Sequence, residues 1–117
     1  MKKIMRMGAI ALLALLAACA DPLPPEKVNY AGDWRAQNMR LLITSDGRVQ
    51  YERRQDQSKT SISAPIQRFE GDNFVVGVGP FNTTFVVAKP PHREGAVWKM
   101  TVDGVELVRG IESEREA

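Results

Sequence analysis

Apolar residues recur at every second position over most of this chain, and this period of two restricts its fold more than any other feature. Val49 and Tyr51 alternate with polar residues, and Phe74, Val76 and Val78 share one side of another segment. Such alternation is typical of strands that bury one face of an antiparallel sheet. We therefore expect an all-β fold, with no helix longer than one turn after the first 18 residues.

Turn sequences divide the segment 30–110 into seven or eight short strands. Asp-Gly pairs at 46–47 and 103–104 suit tight hairpins, since glycine accepts the positive φ angle that such turns need. Pro65 interrupts a strand, which predicts an edge or a bulge there, and residues 90–95 are predicted to form a loop. A small antiparallel meander that closes into a barrel or folds into a sandwich fits this pattern.

The first 18 residues have the pattern of an export signal. Lys2, Lys3 and Arg6 supply positive charge, and residues 8–16 form an apolar run that ends in small residues. A helix needs about 20 apolar residues to cross a bilayer, whereas residues 7–18 provide only 12 apolar or small ones. This segment is therefore predicted to be a signal peptide, not a membrane span.

The signal ends in Leu16, Ala17 and Ala18, and Cys19 follows directly. These residues resemble the lipobox of bacterial lipoproteins, in which a branched apolar residue precedes a cysteine by three positions, with small residues between them. The resemblance implies that cleavage makes Cys19 the first residue and that its thiol carries acyl chains, which hold a protein on a membrane when two or more are present. The alternative is an ordinary secretory signal that ends in a free cysteine.

The residue after the cysteine carries a further implication of this resemblance. In Gram-negative lipoproteins an aspartate directly after the acylated cysteine retains the protein in the inner membrane. Ala20 stands at that position here, and Asp21 comes one residue later. The resemblance therefore implies a lipid-anchored protein of the outer membrane. We expect the domain to face the periplasm, with the outer face of this membrane as the alternative.

Removal of the signal changes the charge of the chain. Loss of Lys2, Lys3 and Arg6 leaves 13 of the 16 basic residues, against 14 acidic residues that all follow Cys19. A near-neutral protein lacks the basic surface that nucleic-acid binding needs, so we expect no nucleic-acid partner. Cys19 is the only cysteine, so no disulfide within the chain can stabilise it, and its stability must come from packing.

The mature chain is predicted to have three parts. Residues 19–29 contain the acylated cysteine and three prolines, and we expect an extended tether that spans about 3.1 Å per residue. Ten such residues would hold the domain roughly 30 Å from the lipid surface. Residues 30–110 form a single β-domain, and residues 111–117 form a charged, flexible tail.

A Gly-x-Trp sequence opens the strand series, and an arginine closes it. Gly32, Trp34 and Arg109 stand at these positions, and the arrangement is similar to that of lipocalins, where a Gly-x-Trp on the first strand packs under a basic residue from near the end of the barrel. The resemblance implies a structural cation–π contact that closes one barrel end, since a guanidinium is attracted to an indole face. The chain departs from lipocalins in its shorter length and in having no C-terminal helix.

Basic residues outnumber acidic ones between positions 48 and 68, by five to two. A charged outer hairpin face explains such an excess. The alternative is a surface for anionic partners, such as lipid headgroups or acidic faces of envelope proteins. The five residues of this basic stretch are Arg48, Arg53, Arg54, Lys59 and Arg68.

No combination of residues predicts catalysis, a cofactor or a metal site. His92 is the only histidine and is expected to be exposed in a loop, whereas a metal site needs three or four ligands and a catalytic base needs an orienting partner. Phe81 follows a Gly-Pro turn. We expect its burial in the core, with exposure in a contact patch at one end of the barrel as the alternative.

Two functions from different classes remain. The first is an interaction or structural module that docks on another envelope component through a strand edge or the basic stretch. The second is a small lipocalin-like carrier of an apolar ligand. A carrier requires an accessible cavity, whereas the module requires packed side chains in the same space. The short length favours the module. The side chains that would line a cavity, or else fill the core, are Phe74, Phe85, Trp98 and Met100.

The lipid anchor leads to the first prediction. Replacement of the nucleophilic thiol in a Cys19→Ser variant should move the protein from the membrane fraction to the soluble periplasmic fraction, because acylation needs the thiolate. Cell fractionation followed by mass spectrometry of the N-terminal peptide measures both location and acylation. A Ser45→Ala variant serves as the control and should stay in the membrane fraction. Membrane retention of an unacylated Cys19→Ser protein would contradict the lipid anchor.

Overall fold

The structure, a computed structural model, describes residues 20–110. The predicted signal peptide, Cys19 and the tail 111–117 lie outside the described residues. A 3₁₀-helix at Pro25–Tyr30 precedes nine β-strands. The strands are β1 (Gly32–Arg35), β2 (Met39–Ile43), β3 (Arg48–Gln55), β4 (Ser58–Glu70), β5 (Asn73–Val78), β6 (Phe81–Phe85), β7 (Val87–Glu94), β8 (Val97–Val102) and β9 (Val105–Arg109).

The nine strands form one antiparallel sheet that is curled into a half-barrel. Their order is β6-β5-β4-β3-β2-β1-β9-β8-β7, so nearly all neighbours in the sheet are also neighbours in sequence. This confirms the prediction of an all-β antiparallel meander, although the strands number nine rather than seven or eight. The two ends of the sheet are consecutive strands separated by Val86 alone, whose N–H donates to Asp103 Oδ1 over 2.9 Å and whose carbonyl accepts from the Asp103 N–H.

Strand β7 covers a segment that the sequence predicts to be a loop. Pro90 and Pro91 favour that prediction because proline donates no hydrogen bond to a ladder. The structure nevertheless pairs this segment with β8, from Val87 opposite Val102 to Glu94 opposite Val97, with register shifts on either side of Lys89. Since β7 is at the end of the sheet, only one of its sides needs hydrogen bonds, and an edge strand tolerates prolines.

The bulge predicted near Pro65 lies in β4. The strand pairs with β3 as far as Pro65, which is opposite Arg48, and it then pairs with β5 from Ile66 onward. A register shift between Ile66 and Arg68 marks the irregularity. Pro65 therefore stands where β4 has β3 on one side only, directly before the bulge, so both features predicted from this proline occur here.

Aromatic rings fill the concave side of the half-barrel. The rings of Phe74 and Phe85 stack with centroids 5.1 Å apart, and Tyr51 meets Phe85 edge-on at 4.9 Å. Tyr30 contacts Phe69 and Phe74 in edge-to-face geometry. Such offset and edge-to-face contacts stabilise aromatic pairs beyond the area that they bury. Trp34, Leu41, Ile43, Met100, Val102 and Leu107 complete the centre of the core, each at most 1% exposed.

The segment between Cys19 and β1 is folded onto the domain and is not an extended tether. Leu23 is 8% exposed within the core, and its N–H donates to the Ser45 carbonyl over 3.1 Å. Tyr30 is 3% exposed, and its hydroxyl donates to the Asp72 carbonyl. The 3₁₀-helix between them also corrects the expectation of no helix longer than one turn. The three prolines are accommodated because this segment pairs with no strand, so the missing N–H groups cost no ladder bonds.

No helix within residues 20–110 combines the length and the apolar character that a membrane crossing requires.

Docking of this segment gives the second prediction. A Leu23→Ala variant should lose about 2 kcal/mol or more in free energy of unfolding, because the change leaves a cavity in the core. Urea unfolding followed by tryptophan fluorescence measures the loss. Val28→Ala is the matched control, since Val28 is 55% exposed in the same segment, and it should change stability by less than about 0.5 kcal/mol. Equal stability of the two variants would contradict the docking of Leu23.

Candidate functional site

Arg109 lies between two tryptophan rings at one end of the half-barrel. Its guanidinium carbon is 5.6 Å from the centroid of Trp34 and 4.7 Å from that of Trp98. Its Nη1 also donates to the Ala31 carbonyl over 3.4 Å. A cation between two indole faces is attracted to both ring quadrupoles. The structure thus brings Arg109 onto Trp34, as the sequence predicts, and adds Trp98, which the sequence analysis assigns to the core or a ligand face.

Gly32 leaves room for the stem of Arg109. A Cβ atom at this position would be 2.5 Å from Arg109 Cδ, and the glycine has a φ angle of 149°. Both the space and the backbone conformation therefore favour glycine. Trp34 Nε1 in turn donates to the Tyr30 carbonyl over 2.8 Å. The Gly-x-Trp sequence connects the 3₁₀-helix, β1 and β9, and its role in the structure is packing rather than chemistry.

Asp33, between the glycine and the tryptophan, binds two arginines that the sequence analysis did not single out. The Nε and Nη2 atoms of both Arg35 and Arg40 donate to its two carboxylate oxygens at 2.9–3.2 Å. Burial raises the pKa of Asp33, but the hydrogen bonds from Arg35 and Arg40 outweigh it and hold the pKa below the ordinary value. Pairing of Arg40 on β2 with Asp33 on β1 could be found only once the strand register was known.

The basic stretch does not form one surface. Arg48 begins β3 and Arg54 lies near its end, so roughly 20 Å of strand separates them. Lys59 pairs with Glu52 at 3.6 Å, and Arg68, beyond the bulge, pairs with Glu70 at 2.9 Å. The structure brings together Arg54 and Lys59, which are opposite each other on β3 and β4, and it places Arg53 beside them on the other face of β3. A single patch of five basic residues is therefore not present.

The four apolar side chains proposed for a ligand cavity fill space rather than line it. Phe74, Phe85 and Met100 are at most 1% exposed and belong to the core. Trp98 packs at the edge of this core and covers Arg109. The Phe74 and Phe85 rings stack directly on each other, which leaves no room for a ligand between them.

Strand β6 presents a different kind of surface. It pairs only with β5, and residues Asn82, Thr83 and Thr84 are exposed. β6 contains neither proline nor charge, whereas the opposite edge strand β7 contains Pro90, Pro91, Lys89, Arg93 and Glu94. Proline and charge are the usual means by which edge strands avoid pairing with other chains. Of the two strands at the ends of the sheet, β6 is therefore the unprotected one.

Phe81 at the start of β6 is exposed and not buried. Its side chain is 82% exposed, and that of Val78, which is opposite it on β5, is 61% exposed. The expected burial of Phe81 is wrong because β5 and β6 extend beyond the core: Phe74 and Phe85 pair inside it, while Val78 and Phe81 pair four residues further along.

His92 is on β7, not in a loop, and makes two local contacts. Its Nδ1 is 2.9 Å from the Pro90 carbonyl oxygen, and its Nε2 is 3.0 Å from Glu94 Oε2. The contact with Pro90, followed by that with Glu94, raises the pKa of His92 above its ordinary value. Among residues 20–110 no group of three histidine, cysteine or acidic side chains is placed to hold a metal ion.

Comparison with protein-family models finds no matching family, and comparisons with curated proteins and with solved structures find no similar protein. The fold and the surfaces of this chain therefore carry the functional argument by themselves.

The third prediction concerns the contact of Arg109 with the two tryptophans. An Arg109→Met variant keeps an unbranched apolar stem but loses the charge, so it should lower the free energy of unfolding by about 1–2 kcal/mol. Urea unfolding measures this change. Arg93→Met on the exposed edge strand is the control and should change stability by less than about 0.5 kcal/mol. If both variants were as stable as the unchanged protein, the cation–π contact would contribute nothing to the fold.

Proposed function

We propose that this protein is a lipid-anchored lipoprotein of the bacterial outer membrane whose β-domain is a non-catalytic interaction module facing the periplasm. The packed interior is the single observation that carries the choice of a module over a carrier, and the resemblance of residues 16–19 to a lipobox supports the anchor. Phe74, Phe85 and Met100 fill the space in which a carrier would hold an apolar ligand. Because side chains fill the interior, the proposal assigns binding to the surface of the domain. We therefore favour the module over a lipocalin-like carrier.

The unprotected edge of β6 is the surface that we assign to docking. An exposed sheet edge can accept an extended segment of another chain, with main-chain hydrogen bonds supplying affinity and side-chain contacts supplying selectivity. Asn82, Thr83 and Thr84 are uncharged and would cost little to bring against another strand. The basic residues near the end of β3 are a weaker candidate, since Lys59 is already paired with Glu52. The partner is an envelope protein that offers an extended segment.

Site-specific crosslinking in living cells tests this proposal. A photoreactive amino acid at Thr83 should give an adduct with a discrete envelope protein, because a partner strand would lie within reach of its side chain. The same amino acid at Ala88 on the protected edge strand β7 is the matched control and should give no such adduct. Both positions are exposed, so folding should be unaffected, and circular dichroism would check this.

A second change in the same chain separates strand pairing from chance proximity. Thr84→Lys places a charge on the open edge, as natural edge strands do to prevent pairing, and it should remove most of the adduct formed from position 83. No adduct from position 83, or equal adducts from 83 and 88, would overturn docking at β6.

A further inference from the structure

The turn between β5 and β6 exposes a compact apolar tip. Residues 78–81 make up this tip, in which Val78 and Phe81 are 61% and 82% exposed and Pro80 is also exposed. The tip is held firmly at its base: Gln67 Nε2 donates to the Gly79 carbonyl over 2.9 Å, and Gln67 Oε1 accepts from Asn82 Nδ2. Three adjacent exposed apolar residues on a braced turn form a contiguous apolar patch, and such patches mark sites of contact with proteins or membranes.

Residues 21–23 lie near Gln67, at the base of this tip. Gln67, which binds the tip, also lines a shallow depression together with Asp21, Pro22 and Leu23. The neighbouring turn fixes the segment further, since a Cβ atom on Gly47 would be 1.9 Å from the Asp21 carbonyl oxygen. Residues 21–23 and the tip at residues 78–81 are thus both close to Gln67.

The docked segment leaves little free length between the domain and the anchor. Leu23 is fixed in the core and bonded to Ser45, and Cys19 is four residues earlier in the sequence. Four residues span at most about 14 Å, compared with the roughly 30 Å of an extended ten-residue tether. Acyl chains on Cys19 would therefore hold this side of the domain within reach of the lipid headgroups.

We propose that the tip at residues 78–81 inserts into the leaflet that holds the acyl chains of Cys19. The lipid surface is the occupant because the free length is short and leads out beside the tip, and because aromatic and aliphatic side chains suit the boundary between headgroups and acyl chains. Insertion at a second point fixes the orientation of the domain, and the β3–β4 turn lies about 27 Å along β3 from Gly47, far from the docked Asp21. This inference rests on the lipid anchor of the proposed function.

Fluorescence in reconstituted vesicles tests the insertion. The acylated protein carries no other thiol for labelling, so Pro80→Cys accepts an environment-sensitive fluorophore at the tip. Gln57→Cys in the exposed β3–β4 turn is the matched control. In vesicles of three parts phosphatidylethanolamine to one part phosphatidylglycerol, we expect a blue-shifted emission at position 80 that brominated acyl chains quench at least twofold. The label at position 57 should show neither effect, and Phe81→Ser should reduce quenching at position 80.

The possible results distinguish a failure of the tip insertion from a failure of the lipid anchor. Vesicle-bound protein with an unquenched, water-exposed label at position 80 would overturn the insertion and leave the anchor intact. A blue shift without quenching would place the tip against a second copy of the chain, which also overturns it. Failure of the acylated protein to bind vesicles would contradict the anchor itself. A Val78→Cys label repeats the measurement from the other strand if Pro80→Cys lowers the circular dichroism signal.

Discussion

The contact of Arg109 with Trp34 and Trp98 is the interaction on which the rest of the structure depends. It joins β1, β9 and β8, which are adjacent in the sheet. In the sequence β1 is the first strand, whereas β8 and β9 are the last two. Only two residue pairs connect β1 with β9 in the ladder, so side chains must supply the remaining stability of this junction. A cation between two indole rings does so without burying an unpaired charge. The contact therefore stabilises the strand pairing that has the fewest ladder pairs in the sheet.

Local patterns predicted the strands, whereas contacts between distant residues escaped prediction. Alternation located β2, β3, β5 and β8, and the Asp-Gly turn at 103–104 located β9, because both signals lie within a few residues of each other in the sequence. β7 was missed because its burial follows no such alternation and its two prolines indicate a loop. The docked segment was missed for a related reason: Leu23 and Tyr30 are isolated apolar residues, and nothing in their neighbours reveals the core that receives them.

The same distinction applies to the candidate surfaces. Gly32, Trp34 and Arg109 could be predicted to meet because a known arrangement supplies the long-range information that a single sequence lacks. Trp98 could not, since alternation assigns it only to a face of β8. The basic stretch shows the opposite error, because residues that are close in sequence are carried apart by extended strands at about 3.4 Å per residue. Phe81 is exposed because β5 and β6 extend past the core. The sequence around Phe81 does not indicate how far these strands extend.

A packed interior and two unlike end strands are the features on which we base the proposed function. The aromatic side chains of this half-barrel fill its own core, so the proposal places contact with other molecules on the outside. The strand order places β6 and β7 at the two ends of the sheet, and proline and charge protect β7. The other end strand, β6, begins at Phe81, the exposed aromatic residue that we propose to insert into the lipid surface. With Phe81 in the lipid surface, β6 would run away from the membrane and present its free backbone N–H and C=O groups to partners held on the same membrane. Proteins held on one membrane have restricted orientations, so they lose less entropy when they associate.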